Sequence, residues 1–185
     1  MGERASCWRR ALAHPDHGVT DRRVLTMKLD HLSGAGHDRE PWKTNRKVFF
    51  STKAALTGSS DPYFRAFDQA FPDYWRFQEW KREFDGFQAS GVAPALMMVR
   101  LPHDHFGSFG TAIDGVNTVE TQMADNDYAI GLLVEAVAHS RFASDTLIVI
   151  TEDDAQDGGD HVDAHRSIAL FAGPYVKQDA VVSAP

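Results

Sequence analysis

The sequence predicts a partial α/β fold, in which helices flank an incomplete, doubly wound and mainly parallel sheet. Short apolar runs of strand length occur at residues 95–99, 147–150 and 168–171. The run 147–150 is apolar at every position, which is typical of strands that are buried on both faces of a parallel sheet. A helical pattern separates the first two runs, so the order of the elements is that of a right-handed βαβ unit.

The first predicted helix follows Asp73 and has an aromatic face at helical spacing, with charged residues between the aromatic ones. We expect this face to cover the core. Gly91 and Pro94 are expected to end the unit, because glycine commonly terminates helices and proline cannot continue them. The aromatic positions are Phe77, Trp80, Phe84 and Phe87.

The second predicted helix connects the runs 95–99 and 147–150. Thr118 can cap its first turn, and the helix is expected to end near His139 and Arg141, whose charges suit a helix C-terminus. Residues 125–127 are polar, and one of them could face a site. The predicted apolar stripe consists of Met123, Ala124, Tyr128, Leu132, Leu133 and Val137.

Composition divides the chain and excludes several partners. Residues 1–50 have few apolar positions and are expected to be poorly structured, whereas residues 51–185 have the pattern of a folded domain. The net charge of −7 without a basic patch argues against nucleic acid as a partner.

The single cysteine, Cys7, excludes an intramolecular disulfide. No apolar run is long enough to span a membrane, and no signal peptide is recognisable, so the localisation stays unknown.

Acidic residues and histidines follow the apolar run 147–150. Asp153 and Asp154 come almost directly after it, and His161 and His165 follow a glycine pair. Carboxylate oxygens and imidazole nitrogens crowded at the end of a strand suit a divalent metal such as zinc, manganese or calcium. A solvated acidic loop is the alternative, and the two histidines weigh against it.

Two other metal motifs do not fit this stretch. A calcium loop that starts at Asp153 would have Ala155 and Ala164 where acidic ligands are needed. A zinc-protease helix would need a glutamate directly after His161, where the sequence has Val162.

A second polar cluster follows the run 95–99, where His103, Asp104 and His105 occur together. In parallel α/β sheets, ligands bind beyond the carboxyl ends of the strands. The two clusters are therefore expected to lie at the same edge of the sheet. A lone turn histidine is the alternative for His103 and His105.

Four stretches together resemble the bacterial phosphoesterases of the phospholipase C and acid phosphatase type, which belong to the alkaline phosphatase superfamily and have relatives fused to a β-propeller. The resemblance covers about residues 51–183 and implies a metal-dependent hydrolase of phosphate esters on an alkaline phosphatase-like fold. The stretches are TEDDAQDGGDHVDAHRS, LPHDHFGSFG, MADNDYAIGLLVEAV and FPDYWRFQEWKREFDGF.

The resemblance also implies roles for single residues. His105 and His161 would be catalytic. It leaves open which of His161 and His165 binds metal. The implied metal ligands are Asp104, Asp153, Asp154 and His165.

The chain departs from the family in its N-terminal part. Family members have an N-terminal half with a further metal ligand and a serine or threonine nucleophile, and residues 1–50 do not resemble it. Residues 51–185 are therefore expected to be the C-terminal part of a phosphoesterase domain, with the nucleophile unknown and the missing half as a partner. The alternative is a non-enzymatic metal-binding or structural remnant domain.

Overall fold

The computed structural model describes residues 51–152, 168–178 and 180–182, so the predicted N-terminal segment 1–50 lies outside the described residues. Described residues up to 133 belong to one compact unit, and those from 134 onwards belong to a second. The described elements are a 3₁₀ helix Ala54–Ser59, helix α1 Asp73–Ser90, a 3₁₀ helix Pro102–Asp104, helix α2 Val119–Ala138, and strands β1 Ile148–Thr151 and β2 Ala169–Ala172.

The predicted first helix is confirmed as α1, and its aromatic face is buried. Phe77, Trp80 and Phe84 are all buried, and the rings of Trp80 and Phe84 stack with their centroids 4.7 Å apart. Gly91 ends the helix as predicted, since it takes a left-handed conformation with φ of 77° and donates its N–H to the Phe87 carbonyl.

The predicted second helix is confirmed as α2, together with its cap. The Thr118 hydroxyl accepts the backbone N–H of Thr121 at 3.2 Å, and the Thr121 hydroxyl accepts the N–H of Thr118 at 2.9 Å. The predicted apolar stripe is wrong in the first turns, because Met123 is exposed while Gln122 and Asp125 are buried. The face of α2 that turns inward there is polar. Within the described residues, no helix combines the length and apolarity needed to cross a membrane.

The predicted doubly wound, mainly parallel sheet is wrong. Among the described residues, β1 and β2 form a two-stranded antiparallel sheet, in which Ile148 pairs with Ala172 and Thr151 with Ala169. The run 95–99 forms no strand, so no βαβ unit exists around α2. The apolar residues of that run are not buried, since Leu96 is 77% exposed and Met98 is 91% exposed. An apolar sequence alone therefore did not produce burial there.

The two observed strands differ from the expected ones in their burial as well. The run 147–150 was expected to be buried on both faces, but Val149 in β1 is about half exposed. Leu170 and Phe171 in β2 are about half exposed too. Among the described residues no further strand extends this sheet, and a two-stranded sheet by itself buries little apolar surface, so these apolar side chains contact solvent.

Replacing Phe84 by alanine tests whether the aromatic face of α1 is the core of its unit. Phe84→Ala should lower the free energy of unfolding by about 3–5 kcal/mol, because a buried ring leaves a cavity. Urea denaturation followed by tryptophan fluorescence measures this change. The exposed Met98→Ala serves as a control and should stay within about 0.5 kcal/mol. Equal effects of the two substitutions would contradict the assignment.

A buried Asp–His–Asp cluster as candidate metal site

The site begins with a buried cation, Arg76 in the first turns of α1. Its side chain has no exposed surface, and all five guanidinium N–H groups donate hydrogen bonds. One goes to the Asp73 carboxylate at 3.0 Å. The other acceptors are backbone carbonyls of the preceding loop, those of Arg65, Ala66, Asp68 and Phe71. Arg76 therefore fixes this loop against α1.

Asp73, the first residue of α1, is completely buried and has partners on both carboxylate oxygens. Oδ1 accepts from Arg76, and Oδ2 accepts the backbone N–H of His103 and the amide of Asn126, each at 3.0 Å. Burial raises the pKa of Asp73, and the charge of Asp125 adds to this, although Arg76 and His103 oppose it. Asp73 thus links α1 to the 102–104 turn and to α2.

Asp125 of α2 caps the N-terminus of α1 from a distance of about fifty residues along the chain. Pro72 precedes α1 and has no side-chain acceptor, so the first N–H groups of the helix need another partner. The Asp125 carboxylate accepts the N–H of Asp73 at 2.6 Å and that of Tyr74 at 3.2 Å. A negative charge at this end of a helix also interacts favourably with the helix dipole.

His103 is completely buried and is bound through both ring nitrogens. Nε2 lies 2.9 Å from the carbonyl oxygen of Gln69, which can only accept, so Nε2 carries a proton. Nδ1 lies 2.7 Å from Oδ2 of Asp125 and donates to it as a second N–H. Burial alone would lower the pKa of His103, but the hydrogen bond to Asp125 and the charge of Asp73 outweigh it and raise the pKa. Acceptors at both ring nitrogens and the raised pKa both favour the doubly protonated imidazolium form of this ring.

The cluster is balanced in charge. Asp73 and Asp125 are its carboxylates, and Arg76 and His103 are its cations. Buried charges are tolerated when each has a hydrogen-bonded partner of opposite sign, and each of these four has one.

The same cluster could hold a metal ion. Asp73, His103 and Asp125 each offer one ligand atom, and within the described part of the chain these atoms lie within 4.8 Å of one another. Two carboxylate oxygens and one imidazole nitrogen form a donor set that transition metals accept. Such an ion would have to displace the Nδ1 proton of His103, because only the neutral ring has a free lone pair.

The structure does not bring the predicted residues Asp104 and His105 into this cluster. Asp104 is half-buried and His105 is exposed, whereas their neighbour His103 lies in the interior. Gln69 binds His105 instead, and its amide nitrogen lies 2.7 Å from Nδ1 and 2.5 Å from the backbone oxygen. The predicted site residues Asp153, Asp154, His161 and His165 lie outside the described residues and stay predictions.

Sequence reasoning missed Asp73 and Asp125 as members of one site. The polar run 125–127 in a helix was a signal for Asp125, and His103 stood out as part of the polar cluster after the run 95–99. Asp73 gave no signal beyond its position before an aromatic helix, because its partners lie far away along the chain.

Comparisons with known proteins do not assign a family. Protein-family models, curated proteins and solved structures contain no match to this chain. The resemblance to phosphoesterases and the residue roles that it implies therefore stay predictions.

The raised pKa of His103 predicts a pH dependence of stability. Its contribution is complete below the unfolded pKa of about 6.5 and is lost as the pH rises through the higher pKa of the folded state. Relative to His103→Gln, the wild-type free energy of unfolding should therefore fall above about pH 6.5, by at most about 1.4 kcal/mol per pH unit. Urea denaturation between pH 6 and 9 measures the difference.

The control for this comparison is His139→Gln, which replaces an exposed histidine next to α2. The pH dependence assigned to His103 is the part that exceeds the difference between this control and the wild type. Parallel stability curves for the wild type and His103→Gln would contradict the assignment of His103 as a buried imidazolium.

Proposed function

We propose that this chain carries the metal-binding part of a metal-dependent phosphoesterase, a hydrolase of phosphate ester bonds. The observation that supports the proposal is that hydrogen bonds hold both the backbone and the ring of His103 in place. Its backbone N–H binds Asp73, and its ring binds Asp125 and Gln69. Its neighbours Asp104 and His105 reach the surface from this fixed turn. Side chains on a rigid support keep the geometry that a reaction requires.

The environment of His105 supports a catalytic role for it. With the amide nitrogen of Gln69 donating to Nδ1, the proton of the neutral ring lies on Nε2. Nε2 can then donate this proton to a phosphate oxygen or to a leaving group. The edge of the ring also packs against Phe67, with ring centroids 5.4 Å apart, which restricts its orientation.

Gly107 supports this arrangement by leaving room for Gln69. A side chain at position 107 would place its Cβ 2.5 Å from Oε1 of Gln69, which is closer than atoms can approach. Gln122 secures the same loop, because its amide accepts the N–H of Gly107 and donates to the Gly107 carbonyl. The position of His105 thus depends on a glycine and on two amide side chains.

By the sequence resemblance, Asp104, Asp153, Asp154 and His165 would hold the metal, and His161 would assist His105. Three carboxylates and one imidazole suit zinc or manganese better than calcium, which prefers oxygen ligands alone. When bound, a divalent metal neutralises phosphate oxygens and stabilises the leaving oxygen. The substrate is a phosphate ester, and the nucleophile is not assigned.

A second candidate is a non-enzymatic domain in which the buried cluster is purely structural. One observation favours it. The carboxylates of Asp73 and Asp125 and both ring nitrogens of His103 already take part in protein hydrogen bonds. A cluster that is satisfied in this way needs no ligand in order to be stable.

Metal titration tests the proposed ligands. Asp153→Ala combined with Asp154→Ala should weaken the binding of zinc and manganese by more than about tenfold, since even supporting residues contribute that much to metal affinity. Calorimetry of the full chain measures the affinity. The matched control is Asp85→Ala combined with Asp127→Ala, two exposed helical carboxylates, which should leave it unchanged. Unchanged affinity in the first variant would refute the metal assignment.

Binding of inorganic phosphate separates the enzyme from the structural alternative without requiring a nucleophile. We expect the zinc-loaded chain to bind phosphate and His105→Gln to bind it more weakly, because a donor to the phosphate oxygens is then altered. Calorimetry with and without zinc measures this. Zinc binding without any phosphate binding would favour the structural domain.

A further inference from the structure

A second group of carboxylates lies on and beside α1, away from the cluster at the N-terminus of this helix. Glu79 is only 1% exposed, and its oxygen Oε1 accepts from both Nε and a terminal nitrogen of Arg82, at 2.8 and 2.7 Å. The side chain of Asp61 is 8% exposed and lies 3.5 Å from the same guanidinium. Arg82 itself is considerably more exposed than either carboxylate.

Each of these two carboxylates has one buried oxygen that lacks a hydrogen-bond donor. Oδ1 of Asp61 accepts the N–H of Tyr63 at 2.8 Å, whereas its buried Oδ2 has no hydrogen-bond donor among the described residues and only an ion-pair contact with Arg82 at 3.5 Å. The buried Oε2 of Glu79 also has no donor among the described residues. Leaving a buried carboxylate oxygen without a partner costs free energy, so such a pair indicates a missing cation or proton.

The two carboxyl groups are close neighbours. They are near enough to form a side-chain hydrogen bond whenever one of them carries a proton. Burial raises the pKa of Glu79, and the negative charge of Asp61 raises it further. Burial and the charge of Asp61 also raise the pKa of Glu83, one helical turn beyond Glu79. Arg82 lowers the pKa of Glu79, but burial and the charge of Asp61 outweigh this effect, so one guanidinium does not compensate the negative charges of this group.

Charge balance favours a metal ion over a single proton. In the described part of the chain, Arg82 is the cation that contacts both Asp61 and Glu79. The third carboxylate of the group, Glu83, also interacts with it. One shared proton would satisfy both free oxygens and would leave a negative charge in excess. A divalent cation would satisfy both oxygens and would also balance the group.

We propose that Asp61 and Glu79 form a binding site for a hard divalent cation, in which the ligands are Oδ2 and Oε2, the two buried oxygens without a hydrogen-bond donor. Carboxylate oxygens without nitrogen or sulfur ligands select calcium, magnesium or manganese. The ion would attach the segment around Asp61 to the middle of α1. This site is separate from the proposed phosphoesterase site and does not depend on it.

Manganese binding to the full chain tests the site. The measurement uses the Asp153→Ala, Asp154→Ala variant, so that the proposed phosphoesterase ligands do not contribute. Electron paramagnetic resonance of free Mn²⁺ should show one bound ion, and calcium should compete for it. Adding Glu79→Gln should weaken this binding by more than about tenfold. Glutamine keeps the shape of the side chain and can donate to Asp61, so the fold should be retained.

The matched control is Glu135→Gln, which replaces an exposed glutamate of α2 and should leave manganese binding unchanged. Thermal unfolding provides the second measurement, in which Mn²⁺ should raise the Tm of the parent variant more than that of the Glu79→Gln variant. Equal manganese affinity with and without Glu79→Gln would overturn the proposal. A Tm unaffected by metal and raised by Glu79→Gln at neutral pH would also overturn it, in favour of a shared proton.

Discussion

The burial of Arg76 is the interaction on which the rest of the described 51–133 region depends. A guanidinium without exposed surface requires acceptors for all its N–H groups, and it finds them in the loop before α1 and in Asp73. Asp73 in turn is a buried carboxylate that needs further donors, and it finds them at His103 and Asn126. Each buried charge thus makes the next one necessary, until Asp125 completes the cluster.

This cluster also determines how the two helices meet. The Asp125 carboxylate caps α1 and binds His103, so the first turns of α2 contact α1 through charged and polar groups. Buried ion pairs contribute little net stability, but removing one partner is costly because it leaves an unpaired buried charge. Hydrogen bonds between charged groups form in only one relative alignment of the two helices. Apolar contacts, in contrast, allow one helix to shift along the other. The turn that presents Asp104 and His105 has a defined position for the same reason.

Helix α1 contains two Asp/Glu–Arg pairs with the same spacing of three residues, and their outcomes differ. Asp73 shares its charge with Arg76, and other parts of the chain satisfy its second oxygen. Glu79 uses one oxygen for Arg82, and its second oxygen is buried with no donor in the described part of the chain. The first pair is complete without a ligand, while the second lacks one positive partner. This contrast distinguishes a structural ion pair from a candidate cation site.

The sequence by itself determined both helices, since aromatic spacing, Gly91 and the Thr118 cap act over one or two turns of chain. It did not determine the sheet, because apolar runs such as 95–99 specify neither burial nor a strand partner. The roles that the resemblance assigns to Asp104 and His105 remain hypotheses, although the position of these residues beside a fixed turn is now known. Tertiary structure alone decided that Asp73, His103 and Asp125 form one cluster. Electrostatic pairing between residues tens of positions apart has no periodicity, so it leaves no pattern that a sequence can show.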